Sequence, residues 1–272
     1  MSALFSEVGN LTIIQRIKQI AKGMISSTGY EIRRQDTFGR SAIFTEENAA
    51  ISKFSYGENT YTFVVENRKD AIQKCHFDGK LYEPEELEII AKYFPAGAEF
   101  IDIGSNVGNH AIFAAIALPS KRVLAFEPAL YQHTLLCFNA LLNQVSEKIE
   151  IRKIALSSHD GEMRIEQPAG DNSGGATLNN RHGELVRLAT GDSQIIDVEL
   201  PFIKIDVEGH EMEVLAGLSH LISTRRPPIF IEVDNVNRQA FESWCVAQRY
   251  RIQERFKRYD LNENFMLLPE QS

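Results

Sequence analysis

Apolar positions follow three regimes along the chain. From residue 11 to 22, Ile13, Ile14, Ile17, Ile20 and Ala21 recur at helical spacing, while Gln15, Lys18, Gln19 and Lys22 fall elsewhere. This predicts a short amphipathic helix for packing or dimerisation. Between residues 40 and 78 the period shortens. Segments 41–45, 50–54 and 61–65 are rich in β-branched or aromatic residues, and Gly57, Glu58 and Asn59 sit among them as turn formers. That pattern predicts an antiparallel β segment able to form a cap or a substrate-facing wall.

From Tyr82 onward helical and strand patterns alternate. Helices are expected at 84–93, with Pro84 suited to a first turn, and at 107–118, 130–142, 211–218 and 238–248. Strands are expected at 99–103, 122–126, 149–155, 163–166, 201–206 and 228–233, with 265–268 as an edge strand. Such alternation implies an α/β fold, a mostly parallel sheet with helices on both faces. We therefore divide the chain into an N-terminal helix and β-rich accessory segment, 1–80, and an α/β domain, 81–272.

Bulk properties narrow the functional classes. With 272 residues, 43% hydrophobic and 24% charged, the chain is an ordinary globular sequence of ample size for one large domain. The net charge of −8 argues against a nucleic-acid partner held by its backbone. Arg225 and Arg226 form only a pair, and the basic run at 249–258 is broken by Glu254. Cys75, Cys137 and Cys245 are scattered without metal or disulfide spacing, which suits reduced thiols. No signal peptide is recognised and no apolar run approaches the ~18 residues of a spanning helix, so a cytoplasmic protein without a membrane partner is expected.

The chemistry concentrates in three segments. The first is Phe100-Ile101-Asp102-Ile103-Gly104-Ser105-Asn106-Val107-Gly108-Asn109-His110, an apolar strand running into a glycine turn that opens a helix. Ligands bind beyond the carboxyl ends of such strands, and Gly104 and Gly108 would let the backbone approach one closely. A dinucleotide fingerprint needs glycine at 106, where this chain has Asn106. Asp102 also suits a cationic ligand better than a pyrophosphate, which favours S-adenosylmethionine over NAD. The second segment is Val123-Leu124-Ala125-Phe126-Glu127-Pro128, a strand ending in a carboxylate about 20 residues beyond the turn, where both ribose hydroxyls can be accepted. Asp102, Gly104, Asn106, Gly108 and Glu127 are thus the candidate cofactor-binding residues.

The segments DIGSNVGNHA, AFEP and IKIDVEGHEMEVLAG, with Gly170-Asp171-Asn172-Ser173-Gly174-Gly175-Ala176-Thr177-Leu178, resemble the FkbM family of methyltransferases over roughly residues 76–235. KIDVEGHE is the specific part, since DxGxxxG alone marks only a broad class. The resemblance implies a Rossmann-like methyltransferase fold, S-adenosylmethionine as cofactor, and O-methylation of a hydroxyl on a sugar, glycan or other natural product. An NAD-type dehydrogenase and a non-catalytic cofactor-binding protein are the rival readings.

The third segment, Phe202 to Glu211, holds five ionisable groups within eight residues. Alternation along a strand puts Lys204 and Asp206 on one side. Asp206, Glu208 and His210 are the candidate catalytic residues, because a hydroxyl acceptor benefits from proton removal and imidazole titrates near neutrality. Lys204 could instead pair with Asp206, and Glu211 reads as a helix cap. Two acids alone do not define a metal site, so no metal ligands are assigned. Glu232 and Asp234, at the next strand end, could hold the acceptor, and the polar loop 172–177 could close over it or be a plain surface loop. His110 could face the cofactor, although packing is the simpler role.

Overall fold

The computed structural model describes residues 50–166, 177–179, 182–258 and 260–270, all within one compact unit spanning Phe44–Ser272. The segments 11–22, 41–45 and 172–176 lie outside the described residues.

A hairpin, β1 (Ala50–Tyr56) and β2 (Asn59–Val65), comes first, followed by helices α1 (Ala71–Phe77) and α2 (Pro84–Tyr93). Then β3 (Glu99–Ile103), α3 (Asn109–Ile116), β4 (Arg122–Phe126), α4 (Leu130–Leu142) and β5 (Ile149–Arg152) alternate. A second group, β6 (Ala155–Ser157), β7 (Gly161–Glu166), β8 (Thr177–Asn179), β9 (Glu184–Thr190) and the short helix α5 (Gly191–Gln194), interrupts the alternation. It resumes with β10 (Pro201–Ile205), α6 (Glu211–Gly217), α7 (Ser219–Arg225), β11 (Ile229–Asp234) and α8 (Arg238–Ala247), and closes on β12 (Tyr250–Phe256) and β13 (Asn262–Pro269).

The main sheet has seven strands in the order β12-β13-β11-β10-β3-β4-β5. From β11 to β5 neighbours run parallel, and β13 is antiparallel to both β11 and β12. Both faces are buried, as parallel strands require. Ile101, Ile103, Leu124, Phe126, Ile203 and Ile205 face one core, shared with α6, α7 and α8. Phe100, Val123, Ala125 and Phe202 face the other, shared with the hairpin, α2 and α3. Chain order runs outward from β3 in both directions, so the sheet has its topological switch point between β3 and β10, where a crevice opens at the carboxyl ends.

The hairpin is tied to this core by amide side chains. Val64 N–H donates to Asn139 Oδ1 at 2.8 Å, and Thr62 N–H donates to Asn143 Oδ1 at 2.8 Å. Asn139 Nδ2 in turn donates to Val107 O at 2.8 Å. Helix α4 thereby connects the accessory hairpin to the turn that follows β3.

Four sequence expectations need correction. The strand at 265–268 is not an edge strand: it lies within β13, second from the edge, and β12 is the edge. Residues 249–258, read only as a broken basic run, supply that edge strand, and charged residues alternating along an edge discourage pairing with another chain. The expected strand 149–155 is two strands in two sheets, because Ile154 N–H turns back to Arg152 O and diverts the chain. The strand 163–166 belongs to a separate four-stranded sheet, order β6-β9-β7-β8, and not to the main core. Finally, α3 starts only at Asn109, because Asn106 and Gly108 have φ of 48° and 94°, outside the helical region.

Among the described residues no helix is long and apolar enough to cross a membrane.

Candidate functional site

The crevice at the switch point is a cavity of about 430 Å³ at the carboxyl ends of β3, β4, β10 and β11, within the range of small-molecule sites. Of the expected cofactor residues, Gly104, Asn106 and Glu127 line it, whereas Asp102 and Gly108 stand behind its wall. Pleating aims Asp102 at Lys204 on the adjacent strand. The Lys204 Nζ lies 3.2 Å from Asp102 Oδ1 and 3.3 Å from Asp206 Oδ2, and donates to Gly104 O at 2.9 Å. Burial opposes the charge on Lys204, but Asp102 and Asp206 outweigh it and raise its pKa. The motif lysine therefore fastens β10 to the glycine turn. Asp102, fully covered, is its counter-ion.

The glycines are required by the fold as well. Gly104 has φ of 80°, and a Cβ there would stand 1.8 Å from Asp206 O. At Gly108 a Cβ would meet Leu136 Cδ1 at 2.3 Å. Close approach is thus between protein segments, not only between backbone and ligand.

Glu127 is buried at the end of β4. Its Oε2 accepts Asn106 N–H at 2.8 Å, and its Oε1 accepts Ala129 N–H at 2.9 Å. Burial raises its pKa to about 7, with those two N–H donors working the other way. A carboxylate offers about four acceptor positions, so two remain for ligand hydroxyls in the cavity. Because Asn106 N–H is given to a carboxylate, the turn presents an acid where a dinucleotide site presents donors to pyrophosphate.

The opposite wall carries the acids of the third segment. Asp206, Glu208 and His210 all line the cavity, with Glu232 and Asp234 from β11. Glu208 sits in the turn between β10 and α6 with φ of 49°. Burial, then Asp206, Glu211 and Asp234, push its carboxyl up to about 8. Burial, Asp206 and Glu208 push Glu232 up to about 10, while its Oε1 accepts from Asn262 Nδ2 at 2.7 Å. Oxygens of Asp206, Glu208 and Glu232 lie within 4.8 Å of one another, a set suited to holding a cation or polar hydroxyls. Glu211 holds the turn itself: Oε1 accepts Gly209 N–H at 2.7 Å, and Oε2 accepts Asn237 Nδ2 at 2.6 Å.

The ring of His210 is engaged within the protein. Its Nε2 is 3.0 Å from Ser157 Oγ and its Nδ1 3.8 Å from Glu213 Oε2, and burial lowers its pKa. His110 is buried on the cavity wall, and burial, then Lys204, holds it well below the ordinary histidine range.

Sequence reasoning missed Glu83 and Glu86. Both are buried, and Glu83 lines the cavity. Their signal is faint: Glu83 precedes Pro84, and such acids at a helix start read as caps. Glu83 has φ of 54° and gives the helix no side-chain cap. Asn109 pins its loop, donating to Tyr82 O and accepting Tyr82 N–H, each at 2.9 Å.

Residues 102–259 match the family described as Methyltransferase FkbM domain, more than half of the chain. Hexuronic acid methyltransferase AglP of Haloferax volcanii is 29% identical over 126 residues, 45% of this chain and 51% of that protein. Methyltransferase sdnD of Sordaria araneosa is 24% identical over 159 residues, 46% of this chain and 61% of that protein. The chain therefore spans about half the length of the first relative and 61% of the second. Among solved structures, Methyltransferase FkbM from Methylobacillus flagellatus aligns with a TM-score of 0.48 at 18% identity, over 72% of this chain and 52% of that one. On the match across residues 102–259, which takes in the first chemistry-bearing segment from Asp102 onward and the whole of the other two, this chain belongs to the FkbM methyltransferase domain family.

Proposed function

We propose that the protein transfers a methyl group from S-adenosylmethionine to a hydroxyl of a sugar, glycan or other natural product. The observation that carries this reading is the cavity's division of labour. Glu127 stands on one wall with acceptor positions free for ribose hydroxyls, and Asp206 and Glu208 stand on the other. S-adenosylmethionine supplies an electrophilic methyl group on a sulfonium, and its thioether leaves neutral without an acid.

The residues then have three tasks. Glu127 and the turn at Gly104 to Asn106 orient the nucleoside. The carboxyl groups of Asp206 and Glu208 accept hydrogen bonds from the acceptor, and one of them takes the hydroxyl proton as the oxygen becomes nucleophilic. Apolar residues Phe126, Ile154 and Leu156 line the cavity and exclude water. Alignment of this kind contributes about 7–11 kcal/mol to such displacements.

The acid-rich walls suit a polyhydroxylated acceptor. The lining residues include Glu83, Glu127, Asp206, Glu208, Glu232 and Asp234 against Lys204 alone. Burial holds Glu83 and Glu232 up to about 10 and Glu208 up to about 8, so these carboxyl groups keep protons near neutral pH and offer both donors and acceptors to hydroxyls. The similarity to a hexuronic acid methyltransferase supports a sugar acceptor.

The test has two arms. S-adenosylmethionine should raise the melting temperature by mass action, and NAD should not. Methyl transfer should then appear on sugars and other hydroxylated natural products screened with the labelled cofactor. Stabilisation by NAD alone, or turnover only on nucleic acid, would overturn the proposal.

A further inference from the structure

An S-adenosylmethionine site needs acceptors for the ammonium at the amino-acid end. Asp102, the acid that sequence offers for a cation, is fully covered and paired with Lys204, so that task falls elsewhere. The cavity has a second group of acceptors. Atoms of Glu83, Glu86 and His110 lie within 4.8 Å of one another, and Glu83 and His110 line the cavity. His110 is only 6% exposed, and its Nε2 has no hydrogen-bond partner in the structure. A buried polar atom left unpaired is costly, and the ring that carries this one stands with two carboxyl groups on the wall of an open cavity. Those carboxyl groups hydrogen-bond to each other, and Arg258 Nε lies 3.2 Å from Glu86 Oε1, anchoring it from outside.

We propose that Glu83, Glu86 and His110 form the subsite that holds the ammonium of S-adenosylmethionine. An ammonium has three donors and no acceptor. With tetrahedral donors and bonds of about 2.8 Å, its three acceptors stand about 4.6 Å apart. The trio offers three such groups within 4.8 Å of one another, close enough for one ammonium to reach them all, with His110 in a neutral tautomer that leaves the facing nitrogen as acceptor. Burial keeps His110 neutral, so one ring nitrogen remains an acceptor. The Tyr82–Asn109 bonds preorganise the loop that carries Glu83.

This inference rests on the proposed use of S-adenosylmethionine, and the test separates the two. Calorimetry compares S-adenosylmethionine with 5′-methylthioadenosine, which keeps the nucleoside and lacks the amino-acid end. The proteins are the parent, Glu83→Gln and His110→Phe, each first shown to melt cooperatively without ligand. His110→Phe removes the unpaired atom while keeping an aromatic ring. Both variants should bind S-adenosylmethionine at least roughly tenfold more weakly, the loss of one charge-assisted hydrogen bond. Their affinity for 5′-methylthioadenosine should stay within about twofold of the parent. Unchanged binding of S-adenosylmethionine, or equal weakening of both ligands, overturns the subsite. So does stoichiometric Zn²⁺ or Mn²⁺ binding by the parent that both variants lose, which would assign the trio to a metal. A parent that binds 5′-methylthioadenosine but S-adenosylmethionine no more tightly overturns the subsite alone. A parent that binds neither overturns the cofactor reading with it.

Discussion

Single residues in this site carry structural and ligand-directed duties together, and substitutions must be chosen to separate them. Gly104→Ala places a Cβ 1.8 Å from Asp206 O at a left-handed φ. It should destabilise the fold by at least about 2 kcal/mol, read as a lowered melting temperature without ligand. A melting temperature like the parent's would mean that the turn relaxes freely. At Glu127 both oxygens accept backbone N–H groups. An amide nitrogen cannot accept, so Glu127→Gln should cost about 1–3 kcal/mol of stability and weaken S-adenosylmethionine at least roughly tenfold. A glutamine variant matching the parent in both would reduce Glu127 to a dispensable helix-start acid. On the acceptor wall, Asp206→Asn and Glu208→Gln should lower turnover far more than cofactor affinity, because a proton-accepting contact matters mostly in the transition state. Glu208, with its carboxyl near 8, must lose its proton to act as base, so turnover should climb as pH rises through about 8. If Glu208→Gln keeps both its rate and that climb, the base lies elsewhere.

At the scale of elements, the hairpin and α4 are joined by two amides that no local propensity requires. Asn139 accepts Val64 N–H and donates to Val107 O, all within the core. Asn139→Ala should therefore leave a buried donor and a buried acceptor unpaired and cost about 2–4 kcal/mol. Hydrogen exchange would show the loss concentrated in β2 and in the turn before α3, and uniform protection would refute the link. The same elements show where the sequence was legible. The strands at 99–103, 122–126 and 201–205 were readable because they are short, mostly apolar runs, and burial on both faces demands that composition. The four-stranded sheet, apart from 163–166 within β7, and β12 were not. Their strands are half-exposed, so their polar residues matched loop or basic-run patterns, and pairing partners lie too far along the chain for a local window.

The whole molecule should show an uneven response to pH. Glu83 and Glu232 are held near 10 and Glu208 near 8, with burial the first cause for each. Unfolded carboxyl groups titrate near 4.5, so the native state keeps protons that the unfolded state has lost. Stability from these groups is full below about 4.5 and falls as pH rises through about 8 to 10, by on the order of 1 kcal/mol per pH unit per group. His76, His110 and His210 are lowered, His76 to about 4, chiefly by burial. Their stability is present above about 6.5 and falls as pH drops from there toward 4. The ligand-free protein should thus be most stable between roughly pH 4.5 and 6.5, and its melting temperature should decline from pH 6.5 to 9. A cationic ligand favours the ionised carboxylates, so its stabilising increment should grow over the same range. Melting curves with and without S-adenosylmethionine that stay parallel from pH 6 to 9 would contradict this.

The sequence by itself determined the α/β alternation, the position of the glycine turn, and the strand-end acids Glu127, Asp206 and Glu208. These are local facts, fixed by residue spacing and by where a strand must stop. Only the tertiary structure decided which acids reach the cavity. It pairs Asp102 with Lys204, sets Glu211 to hold its own turn, and brings Glu83 and Glu86 from α2 and its approach against His110 on α3. Burial and pairing depend on neighbours about 20 to 100 residues away along the chain, such as Lys204 to Asp102, and side-chain spacing within one segment carries no record of them.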